Sequence, residues 1–459
     1  MKRLMLERTD GHHAYKRGIL ILNGGKSSRM GQNKSNLPWG EGTLLTELLR
    51  RARAAKPADI IISSNEPINL EQLPGTIYAS HPMSDYSGHA ALCEDELRAI
   101  QPDMSISLRW VISDDECITM WVIPDEGESK GPLSGLLAGL RKGNSEVYLA
   151  VSVDMPFFDH FDFATTCDML TSPGQRAVDC VVPMLHGHVE PMGALYSRRC
   201  VDAIKTLLQR GEYRVQALFE TVNTEYFNVD EEALQYRNVN TVLDYKLARS
   251  FNENLFRQVP IISVSAEHSG CGKTTVATEL IKEFSALGYE VGYVKSDRHG
   301  FMMDKEGSDT WRASQAGAKS VVISGPDSYA MISKQERKIN PAQLAEQLLD
   351  HNVDLVVLET RSQGVMPIVK VESVREHAEE TGEVEKTGST LENVVDARSV
   401  IAVVSAEKVL EESVETTVED SGAPAVVATD NFGGTVGRFG PQQMEELAKW
   451  LLEWVIPKK

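Results

Sequence analysis

Residues 18–34 read GILILNGGKSSRMGQNK, and residues 261–284 read IISVSAEHSGCGKTTVATELIKEF. Each begins with a short apolar run and passes into a glycine-rich turn that carries cationic and hydroxyl side chains. A buried strand feeding such a turn is a common way for an α/β sheet to aim backbone N–H groups at an anion. The second stretch continues into a helical pattern, so it predicts strand, loop and helix in that order.

Outward from these stretches, apolar runs alternate with helical patterns along most of the chain. Buried strands are predicted at Gly18–Leu22, Asp59–Ser63, Val147–Val153, Ile261–Val264, Val291–Lys295, Asp354–Glu359 and Val400–Ser405. Strands separated by crossover helices imply an α/β chain with two three-layer αβα domains. The first is expected over residues 1–250 and the second over residues 259–459, with Phe251–Gln258 as the linker. Residues 84–118, with weak periodicity, and the charged, aromatic-poor residues 374–398 read as insertions. Leu447, Leu451, Trp454 and Val455 fall at helical spacing, so a closing helix should pack them into the core.

The chain has 459 residues, too many for one ordinary core. It is 42% hydrophobic and 25% charged, a globular composition. No run of about 18 apolar residues suits a membrane span, and the polar opening predicts no secretion. The six cysteines are scattered, without a CxxC pair, which predicts a reducing, cytoplasmic setting rather than a zinc ribbon. The net charge of −19 argues against broad nucleic-acid binding. It leaves room for a polyanionic small substrate, because a local nest of N–H groups binds phosphate inside an acidic protein.

In the first loop, Gly24 and Gly25 allow close backbone approach, while Ser27, Ser28, Arg29 and Lys34 supply hydroxyls and cations for phosphate. The spacing fits neither a Walker A motif nor a dinucleotide fingerprint. The pattern L-x-G-G-x-S-x-R-M-G-x-x-K resembles the signature of the molybdenum cofactor guanylyltransferases. Four further matches follow in order: Val122–Asp125 with Gly131–Gly135 (GPLSG), Val153–Pro156 (VDMP), Glu190-Pro191, and Asn238–Thr241 (NVNT). The resemblance covers roughly residues 16–248. Asn23 stands where Ala is usual, Asn33 where Asp usually precedes the lysine, and Ser63-Ser64 precede Asn65 near the expected nucleoside contacts.

This resemblance implies a Rossmann-like nucleotidyltransferase. Arg29, Lys34 and Asp154 would be catalytic. Leu22, Asn23, Gly24, Gly25, Lys34, Asn65, Asp125 and Asp154 would contact GTP. Asp154 and Asn240 would hold Mg²⁺, which prefers a few protein oxygens together with phosphates. The attacking group would be the terminal phosphate of molybdopterin, so no protein nucleophile is needed.

In the second loop, Gly270, Gly272, Lys273, Thr274 and Thr275, with Ser269 and Cys271 between, form a P-loop whose first glycine is replaced by Glu267. Lys273 reaches phosphate and Thr274 can meet Mg²⁺. Cys271 reads as a tolerated loop residue before a redox site. Lys295, His299, Asp304, Gly307, Asp309 and Ala316–Ala318 then resemble a P-loop GTP-binding adaptor, MobB, of the same pathway. Asp354–Glu359 resembles its Walker B region, which implicates Glu359 in nucleotide binding. The chain departs by reading Glu359-Thr-Arg-Ser-Gln-Gly364 where E-G-x-K is usual, and by lacking the aspartate after Val400–Val404. His299, His12-His13 and His186-Gly-His188 have no partner set at metal-ligand spacing.

The leading expectation is a fused enzyme. Its first half transfers GMP from GTP to molybdenum-molybdopterin and releases pyrophosphate. Its second half, a P-loop NTPase domain with slow turnover at most, binds GTP and assists delivery to apo-molybdoenzymes or their chaperones. The adaptor resemblance implies a homo-oligomer formed through the C-terminal domain, with no nucleic-acid or membrane partner. Two other readings stay open: a cytidylyl- or sugar-phosphate nucleotidyltransferase, and a non-catalytic nucleotide-dependent metallochaperone.

Overall fold

The computed structural model describes residues 16–24, 33–79, 91–102, 105–113, 116–126, 131–159, 177–230, 233–266, 270–296, 301–334, 339–348, 352–361, 367–372, 400–405, 426–429 and 435–457. Two compact units divide the chain, Met1–Thr241 and Val242–Lys459.

The first unit contains β1 (Arg17–Asn23), β2 (Pro38–Trp39), β3 (Gly42–Thr43), β4 (Asp59–Ser64), β5 (Thr76–Ala79), β6 (Ile106–Ser113), β7 (Glu116–Ile123), β8 (Val147–Ser152), β9 (Cys180–Leu185), β10 (His188–Val189), β11 (Ala194–Ser197) and β12 (Thr224–Asn228). Strands β2 and β3 pair only with each other. The other ten make one sheet in the order β10-β9-β11-β8-β1-β4-β7-β6-β5, with β12 against β9. Its centre, β8-β1-β4-β7, is parallel, and both flanks turn antiparallel.

Side-chain alternation makes three layers. Ile19 and Ile21 of β1 pack with Leu45, Leu48 and Leu49 of the helix Leu44–Ala54. Leu20 and Leu22 face the opposite way, onto Leu133, Leu136, Leu137 and Leu140 of the helix Pro132–Lys142. Continuous apolar strands are what a parallel sheet covered on both faces requires. A Cβ at Gly139 would lie 2.4 Å from Leu20 Cδ1, so the glycine lets that helix sit directly on the sheet. The first helix is fixed at its start by a reciprocal Thr43–Thr46 capping box.

The second unit contains β13 (Ile261–Ser265), β14 (Val291–Lys295), β15 (Ser320–Ser324), β16 (Tyr329–Ser333), β17 (Leu355–Glu359), β18 (Ile368–Glu372), β19 (Val400–Ser405), β20 (Val426–Thr429) and β21 (Thr435–Phe439). Seven form a sheet in the order β14-β17-β13-β18-β19-β21-β20, parallel except for β20. Ile262 and Val264 pack with Ala277, Leu280 and Phe284 of the helix Lys273–Ala286 and with Leu447 and Leu451 of the helix Met444–Trp454. Ile261 meets Val356, Leu358 and Ala345 on the other face. Strands β15 and β16 form a separate two-stranded ribbon.

The seven strands expected from sequence all form, with ends shifted by no more than a residue or so. Two expectations need correction. Residues 84–118 are not an insertion as a whole: their later part enters β6 and β7, and Trp110 is buried with its indole N–H donating to Pro74 O at 2.7 Å. The β6 pattern was masked because only Leu108 and Trp110 point fully inward, with Arg109 between them facing solvent. Phe251–Gln258 is not a free linker, because the helix Val242–Leu255 runs into it. Asn254 pins that helix to the second unit: its side chain donates to Val455 O and accepts from Ile261 N–H and Arg257. Leaving such buried groups unpaired would cost about 1–3 kcal/mol each. The closing helix buries Leu447 and Leu451, and Val455 is buried just beyond its end, while Trp454 is half-buried. Residues 374–398 lie outside the described residues.

Candidate functional site

The chain leaves β1 toward β4 on one side and later returns to β8 on the other. Open α/β sheets bind ligands beyond the carboxyl ends of strands at such a reversal. Five of the expected first-site residues stand at those ends: Asn23 as the last residue of β1 with Gly24 just after it, Asn65 after β4, Asp125 after β7, and Asp154 after β8.

At their meeting point, Lys34 Nζ donates to Asp154 Oδ2 at 3.2 Å and to Asn240 Oδ1 at 3.3 Å. These partners are 120 and 206 residues away in sequence. Lys34 is held by the short 3₁₀ helix Lys34–Asn36, whose cap Asn33 accepts hydrogen bonds from Ser35 N–H at 3.0 Å and Ser35 Oγ at 2.7 Å. Asparagine therefore does the capping here that an aspartate could do. Asn240 is brought in by its neighbour: buried Val239 donates its backbone N–H to Asp154 O at 2.8 Å. The lysine and carboxylate side chains are 18% and 20% exposed, open enough for a ligand yet partly screened from water.

Beside this cluster, Ser63 Oγ donates to Asp125 Oδ1 at 2.6 Å and Asn65 Nδ2 to Asp125 Oδ2 at 3.0 Å. Asn23 Nδ2 donates to Ser64 Oγ at 3.0 Å. Leu22 packs its side chain into the core. Gly24 is exposed, and a Cβ there would touch Asp125 only at ordinary van der Waals distance. Glu190 is half-buried, and burial pushes its carboxyl up despite the opposing pull of His188. Gly25, Ser27, Ser28, Arg29 and Gly31 lie outside the described residues.

In the second unit, Gly270 and Gly272 adopt φ of +80° and +88°, left-handed values that a side chain disfavours. Gly272 caps the helix that begins at Lys273. Burial, and then the Arg361 guanidinium, hold the Lys273 ammonium below the ordinary lysine range. Thr274 Oγ1 donates to Glu359, 2.9–3.0 Å from its two carboxylate oxygens. Lys295 Nζ lies 3.1 Å from Glu359 Oε1, and Tyr293 OH donates to Oε2 at 2.6 Å. Burial alone would raise the Glu359 carboxyl, but hydrogen bonds from Tyr293, Lys295 and Thr274 outweigh it and hold it low. Burial, and then the contact with Glu359, push the Tyr293 phenol up.

Thr275 is exposed, whereas Cys271 is buried in the hydrophobic core, which suits the bland reading of that thiol. Ser269, Glu267 and His299 lie outside the described residues. Asp304 accepts from Ser308 and Thr310 and braces the start of the helix Asp309–Gln315. Tyr293 was missed by sequence reasoning. Its position in β14, two residues before Lys295 and hence on the same face of the strand, was the available signal.

Residues 19–225 match the family described as MobA-like NTP transferase domain. Residues 261–405 match Molybdopterin guanine dinucleotide synthesis protein B, MobB. A molybdopterin-guanine dinucleotide biosynthesis adapter protein of Haemophilus influenzae is 32% identical over 110 residues, 24% of this chain and 61% of that protein. The chain thus spans less than two thirds of that relative. A probable molybdenum cofactor guanylyltransferase of Bacillus mycoides is 24% identical over 234 residues, 50% of this chain and 94% of the relative. The crystal structure of molybdopterin-guanine dinucleotide biosynthesis protein A from Archaeoglobus fulgidus is 19% identical, covers 50% of this chain and 96% of that one, and has a TM-score of 0.33.

Proposed function

We propose that this chain, a MobA-like NTP transferase domain followed by a MobB domain, transfers GMP from GTP to molybdenum-molybdopterin in its first unit and binds GTP in its second. The observation that carries the reading is the convergence of Lys34, Asp154 and Asn240 beyond the carboxyl ends of the parallel strands. In the proposed reaction, a terminal phosphate oxygen of molybdopterin attacks the α-phosphorus of GTP. A new P–O bond forms, the α–β bridging bond breaks, and pyrophosphate leaves with its electron pair. Such a reaction asks the protein mainly for positioning and charge stabilisation.

Asp154 and Asn240 are the residues that would hold Mg²⁺. Their two oxygens already converge on one ammonium, which defines a cation-sized position, and oxygen-only donors suit this metal. When bound, it would neutralise charge developing on the α-phosphate. Lys34 and Arg29 would hold the triphosphate, and Gly24 and Gly25 would open the floor of the site. Asp125 would face the base. A carboxylate is acceptor-only, which matches the adjacent N1–H and 2-amino donors of guanine. The pairing edge of cytosine offers one amino donor beside acceptors and fits less well.

In the MobB domain, Lys273 and the amides of Gly270–Thr275, Ser269 included, would bind the phosphates of GTP, and Thr274 with Glu359 would serve Mg²⁺. Delivery to apo-molybdoenzymes or their chaperones belongs to the same proposal, as does action in the cytoplasm. So does self-association through the second unit: Val322, Ile323, Tyr329 and Met331 of the β15–β16 ribbon are all more than half exposed, as apolar surface often is at an interface.

The test is to incubate the full chain with Mg²⁺, molybdenum-loaded molybdopterin and each nucleoside triphosphate separately, and identify products by mass spectrometry. A GMP adduct from GTP, with stoichiometric pyrophosphate, is expected. A CMP adduct from CTP would transfer the reading to a cytidylyltransferase. Absence of any adduct would overturn transfer to molybdopterin and leave the sugar-phosphate nucleotidyltransferase and non-catalytic adaptor readings.

A further inference from the structure

We infer that Ser63, backed by Ser64, is the positioning residue that sets the nucleoside preference of the first unit by fixing the aim of Asp125. The inference rests on the reading above that Asp125 faces the base.

Strand β4 ends in two adjacent serines, both with no exposed surface. Buried positions in a parallel strand ordinarily favour β-branched apolar side chains. Serine there gives up that burial, and its hydroxyl needs a partner. Successive strand residues point to opposite faces, and the two hydroxyls find different partners. Ser63 donates to Asp125 Oδ1 at 2.6 Å. Ser64 accepts from Asn23 Nδ2 at 3.0 Å and donates to Glu66 O at 2.7 Å. Asn23 is the last residue of β1, where the phosphate loop departs. A single two-residue step therefore links the carboxylate on the nucleoside side to the entrance of the phosphate loop.

Asp125 is held from several directions. Asn65 Nδ2 donates to its Oδ2 at 3.0 Å, and its own backbone N–H donates to Asn65 Oδ1 at 3.1 Å. Asn65 is exposed, whereas Ser63 is buried on a central strand with a single χ angle. Ser63 is thus the rigid anchor and Asn65 the adaptable one. Helix Pro132–Lys142 leaves room for the arrangement. A Cβ at Gly135 would lie 2.9 Å from Leu22 Cδ2, 3.1 Å from Asp125 Oδ1 and 3.3 Å from Ser63 Oγ. That glycine is part of GPLSG, and its missing side chain makes space for the serine–carboxylate contact.

Asn23 and Ser64 also explain each other. Asn23 stands where alanine is usual in the resembled signature, and its amide is satisfied by the Ser64 hydroxyl. An alanine there would leave Ser64 without this donor, although Ser64 would keep its contacts to Glu66.

The consequence concerns selectivity. A carboxylate in a fixed plane can accept two parallel N–H donors from guanine. Hypoxanthine, the base of ITP, lacks the 2-amino donor and forfeits one of them. Without the Ser63 hydroxyl, Asp125 regains torsional freedom, and the advantage of the second donor falls. A hydrogen bond to a charged group is worth enough to change affinity by about tenfold or more.

The test compares GTP with ITP on the full chain. Kinetics would follow molybdopterin-dependent pyrophosphate release. Calorimetry would follow the nucleotide site that Lys34→Ala weakens, which identifies the first unit without requiring turnover. Ser63→Ala should raise KM and Kd for GTP about tenfold, change kcat little, and collapse the preference for GTP over ITP. Ser63→Thr, which keeps the hydroxyl, should restore the preference. Gly135→Ala should reproduce the loss by pressing on the same contact, and it serves as the second probe if Ser63→Ala fails to fold. If Asp125→Asn abolishes the preference while Ser63→Ala and Gly135→Ala retain it, the positioning role is overturned and the nucleoside reading stands. If Asp125→Asn leaves the preference intact, the nucleoside reading fails and the inference fails with it.

Discussion

The two candidate sites gather cationic and oxygen-bearing groups by different routes. In the first unit, Lys34 meets Asp154 and Asn240, which come from distant parts of the chain. In the second, Gly270–Thr275 build most of the site within one turn, and Glu359 and Lys295 arrive from the neighbouring strands β17 and β14. The compact site has its lysine 8% exposed at a helix mouth, a cradle suited to gripping phosphate. The dispersed site joins a cation, a carboxylate and an amide around one point, an arrangement suited to stabilising charge that moves. A sharp local motif therefore reports how the chain turns, whereas chemistry can reside where no local motif is sharp.

The largest expected effect would break the comparison directly. Asp154→Asn should lower molybdopterin-dependent pyrophosphate release by about 10²–10³-fold, the usual loss when a charge-stabilising group is removed. Near-normal Mg²⁺-dependent turnover would remove Asp154 from the mechanism. The complementary change, Lys273→Ala, should weaken nucleotide binding at the second unit by about tenfold to a hundredfold, given the strength of charge-assisted contacts. Calorimetry that still resolved two tight nucleotide sites would contradict the division of labour.

A smaller effect separates the sites by pH. The Glu359 carboxyl is held below its ordinary value in the folded state. Because the folded pKa is the lower one, its stabilisation is present above the unfolded value of about 4.3. It is lost as pH falls from there through the folded value. Glu359→Gln should flatten that part of the acid dependence of the second unit's melting, and an unchanged profile would count against the tyrosine–lysine–threonine clamp. The smallest effect sharpens the first site. Asn33→Ala removes the cap behind Lys34 and should cost about 1 kcal/mol, seen as a slight fall in melting temperature with a modest loss of turnover. A loss as large as that of Asp154→Asn would show that Asn33 does more than cap.

Much of this was legible in the residues. Val400–Ser405 forms a strand with the bounds expected of it, because an apolar run in a parallel sheet has little else to become, and Val291–Lys295 forms one in which buried and more exposed residues alternate. The antiparallel flank was harder. β6, which lies between β7 and β5, carries exposed Arg109 between buried Leu108 and Trp110, so part of its pattern is written by solvent. Among the site residues, Lys34, Asp154 and Asn240 were named from ordered motifs, and the structure brings them within hydrogen-bonding distance. Tyr293 was not: its place on the same strand face as Lys295 was a signal, but the carboxylate it meets arrives from another strand.

Local sequence by itself determined the elements that need only their neighbours: the glycine turns, the P-loop opening its helix, and the alternating faces of β1. The tertiary structure alone decided that Asn254 would fasten the helix Val242–Leu255 to the second unit. It also decided that Ser63 would meet Asp125, and that Asn240 would reach Lys34 through Val239. Short-range preferences are set by backbone sterics and hydrophobic period, which the chain carries residue by residue. A contact across 206 positions exists only after the sheet has chosen its strand order and brought the strand ends together.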